Sequence, residues 1–135
     1  AEEKGIDLSV VMMEDYLHSV PDFYTPVVIT SEAEMAKRPE VVEALLVALS
    51  RGYTFAAEHP DEAADILLEA VPELDAAVVR KSQRWLSKYH IADTGRWGEQ
   101  KYGVWQDYAD WLVENGVASA SIVAEEAFTN RFLLR

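Results

Sequence analysis

The chain contains no cysteine, which excludes disulfides, thiol nucleophiles and thiolate metal sites. Basic side chains are scarce: 12 Lys and Arg against 24 Asp and Glu give a formal net charge of −12. A field of that sign repels phosphate backbones and anionic headgroups, so no nucleic-acid partner and no peripheral membrane role is expected. The three histidines, His18, His59 and His90, include no pair at helix-face spacing, so no zinc site is expected. His90 and Asp93 would share a metal only with ligands from elsewhere, and His90 reads better as a helix-end residue. The six glycines form neither a Gly-x-Gly-x-x-Gly fingerprint nor a Walker loop, which removes nucleotide binding by those devices. No Gly-x-Ser-x-Gly occurs, and Ser31, Ser82 and Ser121 have capping or helix-face explanations. No apolar run reaches membrane-spanning length. Catalysis finds no foothold, and no cofactor is implied.

What the sequence does have is the content of one ordinary domain. Its 135 residues are 50% hydrophobic and 27% charged, enough for a core of its own. Ala1 opens a polar, acidic stretch, so no signal peptide is expected at this start; the chain is read as cytoplasmic or as lacking its N-terminal part. Gly5–Met13 alternates at Ile6, Leu8 and Val10 and then runs apolar, the pattern of a strand in a largely buried sheet. Asp22–Thr30, rich in aromatic and β-branched residues, reads as a second strand, with Pro26 arguing for an edge or a bend. Glu14–Pro21 connects the two.

From Ser31 the signals become helical. Ser31 and Glu34 form a capping box, and Pro39 opens a helix to about His59 with an apolar face of Val42, Leu45, Leu46, Leu49, Tyr53 and Ala56. Pro60 starts the next helix, to about Ala70, with Asp61 and Glu62 in its first turn and Ala64, Leu67, Leu68 and Val71 on one face. Asp75 caps a helix whose face is Val78, Val79, Ser82, Trp85, Leu86 and Tyr89. After a loop at Ile91–Gly98, another helix carries Tyr102, Trp105, Tyr108, Ala109 and Leu112 until Asn115-Gly116 stops it. Ser121–Phe128 makes a short last helix. The expected class is thus α/β and α-rich: two or so strands, then five or six helices. Two strands do not make a stable sheet, so the chain reads as the back half of a larger fold.

The aromatics are the informative residues. Most belong on helix faces, but Trp97 lies in a loop between Gly95 and Gly98, where it either covers the core or rims a pocket. Asp22, Phe23 and Tyr24 sit where a connector enters a strand, and strand ends in open α/β sheets are favoured ligand positions.

The order of these pieces is similar to a known family. Val20–Thr30 is followed by Pro39-Glu-Val-Val-Glu, Gly52-Tyr53, His59–Ala64, Val71–Leu74, Trp85–Ser87, Gly95–Gly98, Trp105 and Glu126–Asn130. This order resembles the C-terminal half of solute-binding proteins in the NMT1/THI5-like group, particularly the branch that binds thiamine pyrimidine precursors. The resemblance implies the C-terminal part of a type II periplasmic-binding-protein fold, with two lobes closing on a small molecule. Residues 1–13 would end the second lobe, 14–22 would belong to the hinge, and 23–135 would return to the first lobe. It implies an extracytoplasmic protein, with an export signal preceding this stretch, that delivers a heteroaromatic ligand to an ABC transporter permease. Asp22, Phe23 and Tyr24 match the family's return-hinge motif beside the cleft, with Tyr16 and Trp97 as further ligand candidates. Riboflavin-like, sulfonate, taurine and nitrate ligands remain open. Eukaryotic members resemble pyrimidine synthases with a cysteine-rich signature, which this sequence lacks, so a binding role and no enzyme is expected. An acidic helical interaction domain is the remaining reading, in which two copies exchange strands as a homodimer.

Overall fold

A computed structural model describes residues 5–92, 95–120 and 122–133. The chain divides into two compact units, Ala1–Leu8 with Glu40–Glu99 and Leu133–Arg135, and Ser9–Pro39 with Gln100–Phe132. Among the described residues the regular elements are all helical: α1 (Glu32–Lys37), α2 (Pro39–Glu58), α3 (Pro60–Ala70), α4 (Ala76–Leu86), α5 (Tyr102–Glu114) and α6 (Ala124–Ala127), with short 3-10 turns at Met13–Tyr16 and Ser87–Tyr89.

The two expected strands do not form. Residues 6–12 and 27–31 belong to no ladder among the described residues. Their apolar side chains stand in solvent, with Ile6 53% and Ile29 86% exposed. A strand is stabilised by the N–H and C=O groups of a neighbour, and neither segment finds one; alternation and β-propensity alone do not replace that pairing. Pro26 does mark a bend, at a cis Thr25–Pro26 bond.

The helix boundaries follow their local signals. Ser31 Oγ accepts the Glu34 N–H at 3.1 Å, but the Glu34 carboxylate turns forward to Arg38 at 2.7 Å, so only half of the capping box is made. Pro60 opens α3. Asp75 Oδ1 accepts the N–H groups of Ala77 and Val78 at 2.9 and 3.1 Å, satisfying two of the orphan donors at the start of α4. At the end of α5, Gly116 has φ +69°, a left-handed conformation that glycine adopts without a Cβ clash. The last helix is shorter than expected, Ala124–Ala127 alone, and Ser121 lies outside the described residues.

In the first unit α3 packs against α4, with Ala64 buried. Two α4 arginines reach α3: Arg84 makes a bidentate pair with Asp61 at 2.6 and 3.1 Å, and Arg80 pairs with Asp65. Gln83 Nε2 donates to the Ala56 carbonyl of α2 at 3.0 Å. These polar anchors set the rotation of α4 and correct its expected face. Val79 and Gln83 turn inward, whereas Val78, Trp85 and Tyr89 are 47%, 51% and 60% exposed. Trp85 and Tyr89 still meet, at 4.8 Å between centroids, but on the surface. The α2 face is turned similarly: Val42 is buried and Leu45 is exposed.

His90 is half-buried, edge-on to Tyr53 at 5.4 Å, with Gln83 Nε2 3.3 Å from its Nε2. Burial holds its imidazole below the usual histidine range. The folded chain therefore binds its proton less readily than the unfolded chain. The stabilisation is complete above the unfolded-state value and is lost as pH falls through the folded-state value. Thermal melts between about pH 7.5 and about pH 5.5 should show a fall in midpoint that is smaller in His90→Gln. Equal falls in the two proteins would contradict this account.

Candidate functional site

The second unit contains a concavity of about 270 Å³ lined by Met13, Glu14, Leu17, Val20, Pro21, Asp22 and Phe23. Its wall is built by a tight chain reversal. The 3-10 turn Met13–Tyr16 is prolonged by N–H bonds from Ser19 and Val20 to the Tyr16 carbonyl, at 2.8 and 3.0 Å. This closure brings Leu17, Val20 and Pro21 into one lining with Met13, Glu14 and Asp22.

Helix α5 holds that reversal in place. Trp111 Nε1 donates to the Ser19 carbonyl at 2.8 Å. Phe23 stacks on Tyr108 at 4.8 Å and 21°, and Tyr108 stacks on Trp111 at 5.8 Å. An aromatic ladder on one helix face thus fixes the ring that forms part of the cavity wall. Tyr102, expected on the same face, is instead 46% exposed, and its hydroxyl donates to Gln106 at 2.8 Å.

The start of α5 is secured separately. Asn130 binds the Gln100 backbone twice, accepting its N–H at 3.0 Å and donating to its carbonyl at 2.7 Å. Trp105 Nε1 donates to Gln100 Oε1 at 2.7 Å and its ring stacks on Phe128 at 5.8 Å and 4°.

Of the residues expected at a ligand site, the structure brings Asp22 and Phe23 to the cavity. Asp22 Oδ1 accepts the Phe23 N–H at 2.9 Å. Tyr24 is not in the lining: its hydroxyl accepts the Lys101 N–H at 2.8 Å and its ring tilts against Trp105 at 6.2 Å. It satisfies a backbone donor at the α5 N-terminus, where the Lys101 side chain makes no cap. Tyr24→Phe should therefore lower the stability of this unit by about 1 kcal/mol, read as a shift in chemical-denaturation midpoint; an unchanged midpoint would mean the hydroxyl is satisfied equally well by water.

Tyr16 is 45% exposed, stacked on His18 at 6.2 Å, and also lies outside the lining. Trp97 belongs to the first unit, where it lines a separate cavity of about 230 Å³ with Leu46, Ser50, Thr54, Gly95, Arg96 and Leu133. It stacks on Tyr53 at 5.2 Å, while Arg96 pairs with Glu99 at 3.1 Å. Gly98 has φ +76° and a side chain added there would meet Leu133 at 3.3 Å, so this glycine allows the loop its close turn.

Sequence reasoning missed Glu14, Leu17 and Val20 as wall residues, because a connector of nonrepeating turns shows no period. One available signal was charge: no Lys or Arg occurs from Gly5 to Ala36. Among the described residues no group of three or more His, Asp or Glu could hold a metal ion, and the His90–Asp93 pair cannot be placed because Asp93 lies outside them. No helix of the described residues is long and apolar enough to cross a membrane.

Comparison with known proteins gives a partial family match and two relatives. A model of the NMT1/THI5-like family matches residues 1–63, a stretch that includes every residue lining the Phe23 cavity. A formylaminopyrimidine-binding protein from Halalkalibacterium halodurans is 31% identical over 133 residues, covering 96% of this chain and 40% of that protein. The riboflavin-binding protein RibY from Chloroflexus aurantiacus is 26% identical over 137 residues, covering 96% of this chain and 38% of that protein. The chain therefore spans about two fifths of the length of these curated relatives. Residues 1–63 thus resemble the NMT1/THI5-like family, and most of the chain is similar at modest identity to two proteins named as small-molecule binders.

Proposed function

We propose that this chain, which matches the NMT1/THI5-like family, is part of a solute-binding protein for a thiamine pyrimidine precursor of the formylaminopyrimidine or hydroxymethylpyrimidine type. The protein works outside the cytoplasm and hands its ligand to an ABC importer. Residues 1–13 end one lobe, residues 14–22 contribute to the hinge, and residues 23–135 return to the other lobe. Binding and release by lobe closure need no catalytic group.

One observation carries the reading: the Phe23 cavity lies wholly within the stretch matched by the family model. Its composition suits a flat ring bearing amino groups. Phe23 offers an aromatic face already aligned by Tyr108, Leu17, Val20 and Pro21 offer apolar contact, and the carboxylates of Glu14 and Asp22 accept hydrogen bonds from an exocyclic amine. At about 270 Å³ the space falls just below the usual range of ligand sites, a size that suits one pyrimidine ring better than a larger ring system.

Riboflavin is the second reading, favoured by the RibY relative. A thermal-shift panel of formylaminopyrimidine, hydroxymethylpyrimidine, riboflavin, taurine and nitrate separates the candidates. Saturating pyrimidine should raise the melting temperature by several degrees, since a ligand at about 100 times its Kd adds about 2.7 kcal/mol. A rise with riboflavin alone would replace the pyrimidine assignment, and a rise with taurine or nitrate alone would overturn both ring assignments.

A further inference from the structure

We propose that the Phe23 cavity sorts ligands by charge, taking uncharged or cationic amino-bearing rings and rejecting anionic ones, with Glu14 and Asp22 as the residues that set this specificity. The inference rests on the ligand-binding reading above and narrows it to a substrate class.

The seven lining residues include two carboxylates and no basic side chain. The surroundings do not compensate. Among the described residues, the carboxylates held in ion pairs are Glu34, Glu62, Asp65, Asp61 and Glu99, which leaves Glu14 and Asp22 without a basic partner. The second unit as a whole carries ten Asp and Glu against four Lys and Arg, and none of those four, Lys37, Arg38, Lys101 and Arg131, lines the cavity. Charge of one sign around an apolar concavity focuses its field into the opening.

A sulfonate, nitrate or phosphate ester needs guanidinium, ammonium or converging backbone N–H donors to replace its water. This wall supplies acceptors instead. An exocyclic amine brings donors to those acceptors. Asp22 is already oriented to accept them, because its Oδ1 is engaged by the Phe23 N–H, which fixes the carboxylate beside the stacked ring. Glu14 stands on the opposite end of the reversal, in the first turn of the 3-10 segment, so the two carboxylates address a bound ring from two positions in the chain.

The test uses the full-length protein and two probes, 4-amino-5-hydroxymethyl-2-methylpyrimidine and its phosphate monoester, titrated calorimetrically at low and at high salt. The alcohol should bind about tenfold tighter than the ester at low salt, a gap that salt narrows by screening. In the Glu14→Gln, Asp22→Asn double variant the gap should shrink to about threefold or less. The single variant Glu14→Gln, at an exposed position, should narrow it part of the way and serves if the double variant does not fold. Equal binding of both probes to the wild-type protein at low salt would overturn charge sorting while leaving the binding role intact. A gap unchanged in the variants would overturn the assignment to Glu14 and Asp22. Failure of both probes to bind would overturn the pyrimidine-binding reading itself and this inference with it.

Discussion

Replacing Phe23 by alanine should weaken pyrimidine binding by about tenfold to a hundredfold, the equivalent of roughly 1.5–3 kcal/mol from one lost aromatic wall. The same ring stacks on Tyr108 at 4.8 Å, so its removal should also destabilise the second unit, by about 2 kcal/mol for a half-buried side chain. The two effects separate with Phe23→Leu, which keeps apolar volume against Tyr108 but removes the flat face. The leucine variant should recover most of the stability and little of the affinity. Full affinity in Phe23→Leu, measured by calorimetry, would show that the ring acts only by packing and would remove stacking from the account.

The second large effect is on stability. Only five apolar residues are buried among those described, and Phe132 is the largest of them, 6% exposed, the others being Val42, Ala64, Ala109 and Ala124. With so little buried volume, Phe132→Ala should cost about 3–5 kcal/mol, a large fraction of the stability of an ordinary domain. It should lower the urea midpoint steeply. The neighbouring Arg131 guanidinium lies 4.3 Å from the Phe132 ring centroid, a contact worth only about 0.5–1 kcal/mol at an exposed site. Arg131→Ala should therefore move the midpoint by a small fraction of the Phe132→Ala shift. Comparable shifts in the two variants would mean that the ring is not held by burial.

The parts of the fold legible in the sequence are those fixed by chemistry within a few residues. Ser31, Pro39, Pro60, Asp75 and Gly116 mark helix ends because each acts on backbone groups one to four positions away. The strands were not legible in this way. Their alternation is local, but their existence depends on partners that Ile6–Met12 and Val27–Ile29 do not find among the described residues. Helix α4 illustrates the same limit at side-chain level. Its apolar residues Val78 and Trp85 define a stripe continued by Tyr89 in the 3-10 turn that follows, yet Arg80, Gln83 and Arg84 anchor the opposite side to α2 and α3 and leave that stripe in solvent.

The candidate site divides along the same line. Asp22 and Phe23 were legible through the family resemblance, and both line the cavity. Tyr24 belongs to the same motif, but its place is decided by a backbone donor 77 residues away, the Lys101 N–H. Likewise the Ser19 carbonyl that closes the wall is held by Trp111, 92 residues distant. Glu14 and Leu17 were hidden because only the reversal at Tyr16–Val20 turns a connector into a wall.

The central claim is that a pyrimidine precursor sits against Met13, Asp22 and Phe23. The three methionines, Met12, Met13 and Met35, make a direct probe, since Met13 lines the cavity and Met35 lies on α1. With methyl-13C methionine in the full-length protein, saturating formylaminopyrimidine should shift the Met13 methyl resonance and leave that of Met35 in place. Binding seen by calorimetry with the Met13 resonance unmoved would put the ligand elsewhere and contradict the account.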